Sequence, residues 1–158
     1  NNMDLIIKKI IDKKEKEIIS KEVLYDLPEW FGLPESTKEY IEDSQDKPFL
    51  ACYADNEVAG FIVLNATSKD TADIFVMGIK KKFHRMGIGT KLNTEFENMA
   101  KNLGYSYSQV KTVKMGHYKE YDITNEFYIA MGYKELECFP TLWDEWNPCQ
   151  IYIKYLGE

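Results

Sequence analysis

The chain has little with which to build a metal centre, a disulfide framework or a membrane span. Among its 158 residues there are three cysteines and two histidines. Cys52, Cys138 and Cys149 are odd in number and have neither CxxC spacing nor a companion histidine cluster, so we expect reduced thiols and no metal site. No apolar run approaches the roughly 20 residues that a membrane-spanning helix needs, and the amino terminus lacks the apolar centre of a signal peptide. These absences lead us to expect a cytoplasmic protein with no membrane partner. Positive charge is also short, because 20 Lys and Arg against 26 Asp and Glu leave a formal net charge of -6. With its basic residues scattered, such a chain repels a phosphate backbone, which excludes a general nucleic-acid surface and leaves room only for a local basic pocket. Internal repeats, low-complexity tracts and linkers are missing as well. Asn1-Asn2 ahead of Met3 is not a natural translation start, so these two residues are expected to be foreign to the natural protein.

What is present describes a folded globule. The hydrophobic fraction is 44% and the aromatic fraction 14%, with apolar and charged residues mixed throughout, and the length suits one domain. Alternation over 4–10 predicts a strand, and helical spacing of Ile18, Ile19, Val23 and Leu24 predicts a helix over 12–24. Pro28, Gly32 and Pro34 break the chain around Trp30-Phe31, and capping residues after Pro34 open a second helix to about Ser44. A hairpin follows over 49–54 and 58–64, then a strand over 72–79. Gly87-Ile88-Gly89 opens a third helix with Leu92, Phe96, Met99 and Leu103 on one stripe and Gly104 as its stop. A strand over 107–113, a helix over 124–131, and strands over 133–139 and 150–156 complete the chain. The order β-α-α-β-β-β-α-β-α-β-β predicts an α/β fold with a mixed sheet covered by helices.

The glycine turn after Ile79 carries the strongest chemical signal. Glycines let backbone amides approach a ligand closely, and these amides sit at a helix amino terminus, where the helix dipole favours anions. The turn is not a phosphate-binding Walker loop, since no Gly-Lys-Ser/Thr follows, and it lacks the third glycine of the dinucleotide fingerprint. Lys80, Lys81, Lys82, His84 and Arg85 make this the most basic stretch of an acidic chain, which suits a ligand carrying several phosphates.

His84-Arg85-Met86-Gly87-Ile88-Gly89 resembles the R/Q-x-x-G-x-G/A motif that follows the fourth strand in the GNAT N-acetyltransferase superfamily. Histidine stands where the family has Arg or Gln. One strand and one helix later, Phe127-Tyr128-Ile129-Ala130-Met131-Gly132-Tyr133 is similar to the family's F-Y-x-x-x-G-F/Y. Tyr121 stands where the family often has an asparagine, seven residues before the tyrosine. The resemblance covers nearly the whole chain, with motifs only between about Asp73 and Tyr133. It implies a mostly antiparallel sheet of about seven strands with about four helices, and acetyl-CoA as co-substrate. It further implies that the fourth and fifth strands splay, so that the backbone of Met77, Gly78 and Ile79 holds the pantetheine arm. His84, Arg85, Met86, Gly87, Ile88, Gly89 and Thr90 would then hold the phosphates.

The reaction so implied is direct attack of a neutral amine on the thioester, with a donor such as a strand amide for the developing oxyanion. Tyr128 is the expected acid for the departing thiolate, since a phenol near pKa ~10 can protonate a thiolate whose thiol titrates near roughly 8.5; it also counts among the expected cofactor contacts. Asp73 is the expected base, six residues before Ile79, where some family members place a carboxylate. Alternation puts it on one strand face with Phe75 and Met77. Trp143, Asp144, Glu145 and Trp146, in one loop before the last strand, combine aromatic faces with carboxylates as a cationic amine would require, and Trp30-Phe31 could line the same acceptor cleft. The partner is then a small-molecule or peptide amine, with a homodimer compatible with the resemblance.

Each residue also has a plainer reading. Tyr128 suits a buried core aromatic, Asp73 a turn-bonding group at a strand start, His117 an exposed loop histidine, and the two tryptophans a packing plug or subunit contact. An idle acyl-CoA-binding module on the same fold is the rival function.

Overall fold

The computed structural model describes residues 3–157; the two residues ahead of Met3 lie outside them. In chain order the elements are β1 (Leu5–Ile10), α1 (Lys13–Leu24), α2 (Pro34–Ser44), β2 (Phe49–Ala54), β3 (Glu57–Ala66), β4 (Thr71–Ile79), α3 (Ile88–Asn102), β5 (Tyr107–Val113), α4 (Lys119–Ala130), β6 (Lys134–Asp144) and β7 (Asn147–Tyr155), with a single 3-10 turn at Lys81–Phe83. The strands form one seven-stranded sheet in the order β1-β2-β3-β4-β5-β7-β6. The mixed sheet and four α-helices are those expected.

Two compact units make up the chain, one holding residues up to Asn65 with Phe75–Met99, the other Ala66–Ile74 with the chain from Ala100 onward. In the first, α1 starts where the Asp12 carboxylate accepts the Glu15 amide at 2.9 Å. It buries Ile19, Val23 and Leu24, which join Phe49, Phe61, Val63 and Val76 in one core. Gly78, near the end of β4, lies under this helix: a Cβ there would meet Val23 at 3.0 Å and Leu27 at 3.1 Å. On its neighbour, a Cβ at Gly60 would come within 2.6 Å of the Gly78 carbonyl. Two glycines therefore let β3, β4 and α1 close around the strand end that precedes the glycine turn.

In the second unit β4 runs parallel to β5, with Thr71–Ile74 in register with Tyr107–Val110. β5 pairs antiparallel with β7 from Tyr107↔Tyr155 to Val113↔Cys149. Asn125 on α4 is wholly buried; its amide donates to the carbonyls of Val113 at 2.8 Å and Tyr121 at 2.7 Å, and its oxygen accepts the Tyr152 hydroxyl at 2.6 Å. One side chain thus ties α4 to both β5 and β7. At the other end of α4, the Lys154 ammonium donates to the Met131 carbonyl at 2.8 Å and lies over the Tyr133 ring, a cation where the helix dipole favours one.

Three expectations are corrected. Helix α4 begins at Lys119 rather than 124: the Asp122 amide already donates to the Tyr118 carbonyl at 2.9 Å, and Tyr118 makes no side-chain cap that could mark this start in the sequence. The buried stripe of α3 runs Leu92, Phe96, Ala100, while Leu103 lies past the helix end and is 52% exposed. Strand β6 continues through Pro140 to Asp144, since a sheet-edge strand tolerates a residue with no N–H to donate.

Candidate functional site

The glycine turn is an exposed loop pinned at both ends. β4 ends with the Lys80 amide donating to Ala59 at 2.8 Å, and the Asp26 carboxylate accepts the Lys81 amide at 2.7 Å. Phe83 is then buried at 4% and Ile88 at 1%, with His84–Gly87 exposed between them. Arg85, the only arginine in the chain, has φ 64° and Gly87 has φ 79°, so the backbone turns left-handed twice before the helix. A Cβ at Gly87 would meet nothing within 4 Å. Glycine there is required by the backbone angle, and open space lies before the turn. The first intrahelical bond of α3 is Lys91 N–H to Gly87 O at 3.1 Å, so the amides of Ile88, Gly89 and Thr90 precede the helical ladder. These amides, the helix dipole and Arg85 fit a polyphosphate.

The lysines beside this turn differ from expectation. Lys80 pairs with Glu22 and, at 3.5 Å, Glu57; Lys81 pairs with Glu29 at 2.7 Å, and Lys82 with Glu57 at 2.6 Å. They line, with Glu22, Asp26 and Glu57, a cavity of about 480 Å³. Their charge is matched by carboxylates from α1, its following loop and the start of β3, so they secure the 3-10 turn rather than present a basic surface.

His84 makes a contact that the spacing did not reveal. Its Nε2 lies 2.7 Å from the Ile79 carbonyl, and because a carbonyl only accepts, Nε2–H is the donor. The ring stands edge-on to Trp30 with centroids 5.9 Å apart. His84 thus fixes the last peptide of β4, and the Ile79 carbonyl is already engaged. Trp30 belongs beside the glycine turn. Phe31 meets Tyr40 edge-on at 5.9 Å, and Tyr40 meets Phe75 at 5.3 Å, an aromatic chain over the core. Met86 is exposed, and Met77 is half-buried.

The titratable candidates lie in the second unit. Asp73 is 4% exposed. Its Oδ1 accepts the Gln109 amide at 3.1 Å and lies 3.9 Å from the Lys111 ammonium. Burial pushes its carboxyl up to about 6, with Lys111 and Gln109 pulling the other way. Tyr128 is 5% exposed and packs edge-on against Phe127 and Tyr133, at 5.1 and 5.6 Å. Burial drives its phenol well above the ordinary tyrosine range, and the charge of Asp73 adds in the same direction. The two groups sense each other, and their surroundings hold a neutral phenol beside a carboxyl that titrates near neutrality.

The tryptophan segment is not a long loop. Trp143 and Asp144 end β6, Asn147 begins β7, and only Glu145-Trp146 lies between. Asp144 Oδ1 accepts the amides of Trp146 and Asn147, both at 2.8 Å, and its carboxylate takes the Asn147 side chain at 2.9 and 3.0 Å. Those bonds, the Asn147 side chain foremost, lower its pKa and give it a turn-closing role. Trp143 and Trp146 are 44% and 70% exposed, and the Tyr118 hydroxyl donates to the Trp146 carbonyl at 3.5 Å. His117 is exposed.

The family model described as Acetyltransferase (GNAT) family matches residues 17–133, well over half the chain. The chain belongs to the GNAT acetyltransferase family. This makes it one of a family of acyltransferases and places the glycine turn, Asp73 and Tyr128 inside the matched region. A GNAT-family protein from Desulfovibrio desulfuricans has the same fold, with a TM-score of 0.83, 14% identity, and 98% of this chain and 100% of that one covered. So does a GNAT acetyltransferase from Elizabethkingia anophelis with acetyl-CoA bound, at TM-score 0.70, 16% identity and coverage of 96% and 97%. An aminoglycoside 6'-N-acetyltransferase from Enterococcus faecium matches at TM-score 0.75 and 18% identity, covering 97% and 98%. At these identities the likeness is one of fold. No curated protein sequence matches this GNAT chain significantly. Among the described residues no helix is long and apolar enough to cross a membrane.

Proposed function

We propose that this chain is an acetyl-CoA-dependent N-acetyltransferase acting on a primary amine of a small molecule or peptide. The observation that carries the reading is Asp73. In a family of acyl-transfer enzymes, a carboxyl only 4% exposed with a pKa raised to about 6 does nothing structural that a neutral residue would not do at lower cost, but it can exchange protons near neutral pH.

The glycine turn would hold the phosphates: the amides of Ile88, Gly89 and Thr90 donate, and Arg85 adds charge. Acetyl-CoA, when bound, supplies an acetyl thioester whose carbonyl carbon is the electrophile. Asp73 takes the proton that the amine must lose, directly or through one water. Tyr128 gives hydrogen-bond donation to the leaving sulfur. With its pKa raised, the phenol enters every cycle protonated, and its contribution moves from outright proton transfer toward a strong bond to developing negative charge. Trp143, Glu145 and Trp146 offer aromatic faces and a carboxylate to a cationic acceptor, and one protein of similar fold is an aminoglycoside 6'-N-acetyltransferase. We read both units as parts of one catalytic domain, since β4 runs through both and the family match spans them. Three free cysteines, two of them buried, accord with a cytoplasmic setting.

The burial of Tyr128 between Phe127 and Tyr133 favours a second reading, an idle acyl-CoA-binding module with a core tyrosine. Thiol release from acetyl-CoA over polyamines, aminoglycosides, amino acids and short peptides separates the two. The enzyme releases thiol with one acceptor class and loses rate in Tyr128→Phe. The module binds acetyl-CoA, releases no thiol with any amine, and is indifferent to the substitution.

A further inference from the structure

We infer that Gln109 and Lys111 are positioning residues for Asp73: they hold one carboxylate oxygen and keep a buried carboxyl ionisable, leaving Oδ2 to take the acceptor's proton. The inference rests on the reading of Asp73 as the base. Parallel pairing of β4 and β5 sets Asp73 directly beside Gln109, and Lys111, two residues further along β5, projects from the same strand face. Both contacts fall on Oδ1, the Gln109 amide at 3.1 Å and the Lys111 ammonium at 3.9 Å. The first is a hydrogen bond that orients the carboxyl plane. The second is too long for one and acts through charge.

The two contacts answer a specific difficulty. A carboxyl as buried as Asp73, left alone, stays neutral and can accept nothing. Lys111 opposes that burial from a side chain that is 34% exposed and 3.9 Å away, its field reaching a group only 4% exposed. Two further titratable groups sense this carboxyl, Tyr128 from α4 and Cys149 from β7. The Tyr128 phenol is raised, and the Cys149 thiol is pushed up to about 11, chiefly by burial. Both are therefore neutral from pH 5 to 8, and of these three groups Asp73 is the one that changes charge in that window. Neither Gln109 nor Lys111 belongs to the glycine turn, so their effect separates from cofactor binding.

The test measures Asp73 itself. In the free protein, carboxyl carbon NMR follows its titration, with Asp73→Asn identifying the resonance, in wild type, Lys111→Met and Lys111→Arg. Removing the charge moves the titration up by about one pH unit or more, and arginine brings it back. The acidic limb of kcat/KM moves by the same amount, an about tenfold loss below the limb, with the KM for acetyl-CoA unchanged. Gln109→Leu lowers kcat about tenfold, while Gln109→Asn, too short to reach, recovers little. An unmoved titration in Lys111→Met overturns the inference and leaves Asp73 as base untouched. A titration that moves while the rate limb stays in place overturns Asp73 as base, and the positioning role with it.

Discussion

If Asp73 is held as an acetyltransferase base at the expense of stability, replacing it with asparagine makes the free protein more stable and inactive at once. The carboxyl is raised from 3.8 to about 6, so the folded state binds its proton more tightly than the unfolded state does. Between those two values the folded chain carries more protons, and stability falls as pH rises. The loss is complete above about pH 6 and absent below the unfolded value. At about 1.4 kcal/mol per unit, the ionised carboxyl costs about 3 kcal/mol at pH 7. Asp73→Asn keeps the shape and an acceptor for the Gln109 amide, and removes the charge. For a chain of this size the gain corresponds to a rise in Tm of roughly 6–12 °C at pH 7, shrinking toward zero near pH 4. Thermal unfolding of both proteins at the two pH values, with acetyl transfer measured in parallel, is the assay. A Tm gain equal at both pH values, or a variant less stable at pH 7, refutes the reasoning, because neither outcome can come from a buried ionised carboxyl.

Other outcomes follow from the same geometry. Gly87→Ala meets no atom and changes only a left-handed backbone, so it costs about 1 kcal/mol in denaturant unfolding while weakening acetyl-CoA binding in calorimetry. Gly60→Ala meets the Gly78 carbonyl at 2.6 Å and destabilises by about 1–3 kcal/mol with a broader thermal transition. Tyr128→Phe lowers kcat by about 100-fold with the KM for acetyl-CoA unchanged; an unchanged kcat would reduce this phenol to packing. Asn125→Ala strips partners from the Val113 carbonyl and the Tyr152 hydroxyl and lowers the unfolding free energy by about 2–4 kcal/mol. Trp146→Ser raises the KM for the amine several-fold and leaves that for acetyl-CoA alone.

Local chemistry is what made parts of this molecule readable in advance. Helix α2 starts at Pro34, which suits the first helical position, and ends at Ser44 as expected, but Ser36 and Thr37 lie inside it and its N-cap Leu33 makes no side-chain bond. The turn before α3 is legible because only glycine takes the angle at residue 87 without strain, and the order of the two motifs carries the family. What escaped are features made by residues distant in sequence. Lys80, Lys81 and Lys82 look like a phosphate surface until α1, its following loop and the start of β3 bring Glu22, Glu29 and Glu57 to them. Asp144 looks like a ligand for a cation until the tight β6–β7 turn takes both of its oxygens. Gln109 and Lys111 carry no signal of their own, since only the register of a parallel strand pair sets them beside Asp73. Asn125 is missed for the same reason, its three partners lying on three elements of the chain.

The most direct test of the account supplies acetyl-CoA labelled with carbon-13 in the acetyl group, together with a polyamine acceptor, and follows the label by NMR. The account predicts that the label leaves the thioester and appears as an amide on a primary nitrogen of the acceptor, with wild type and not with Asp73→Asn. Label that stays on the thioester with every amine, while acetyl-CoA binds tightly, contradicts it and makes the chain a binding module.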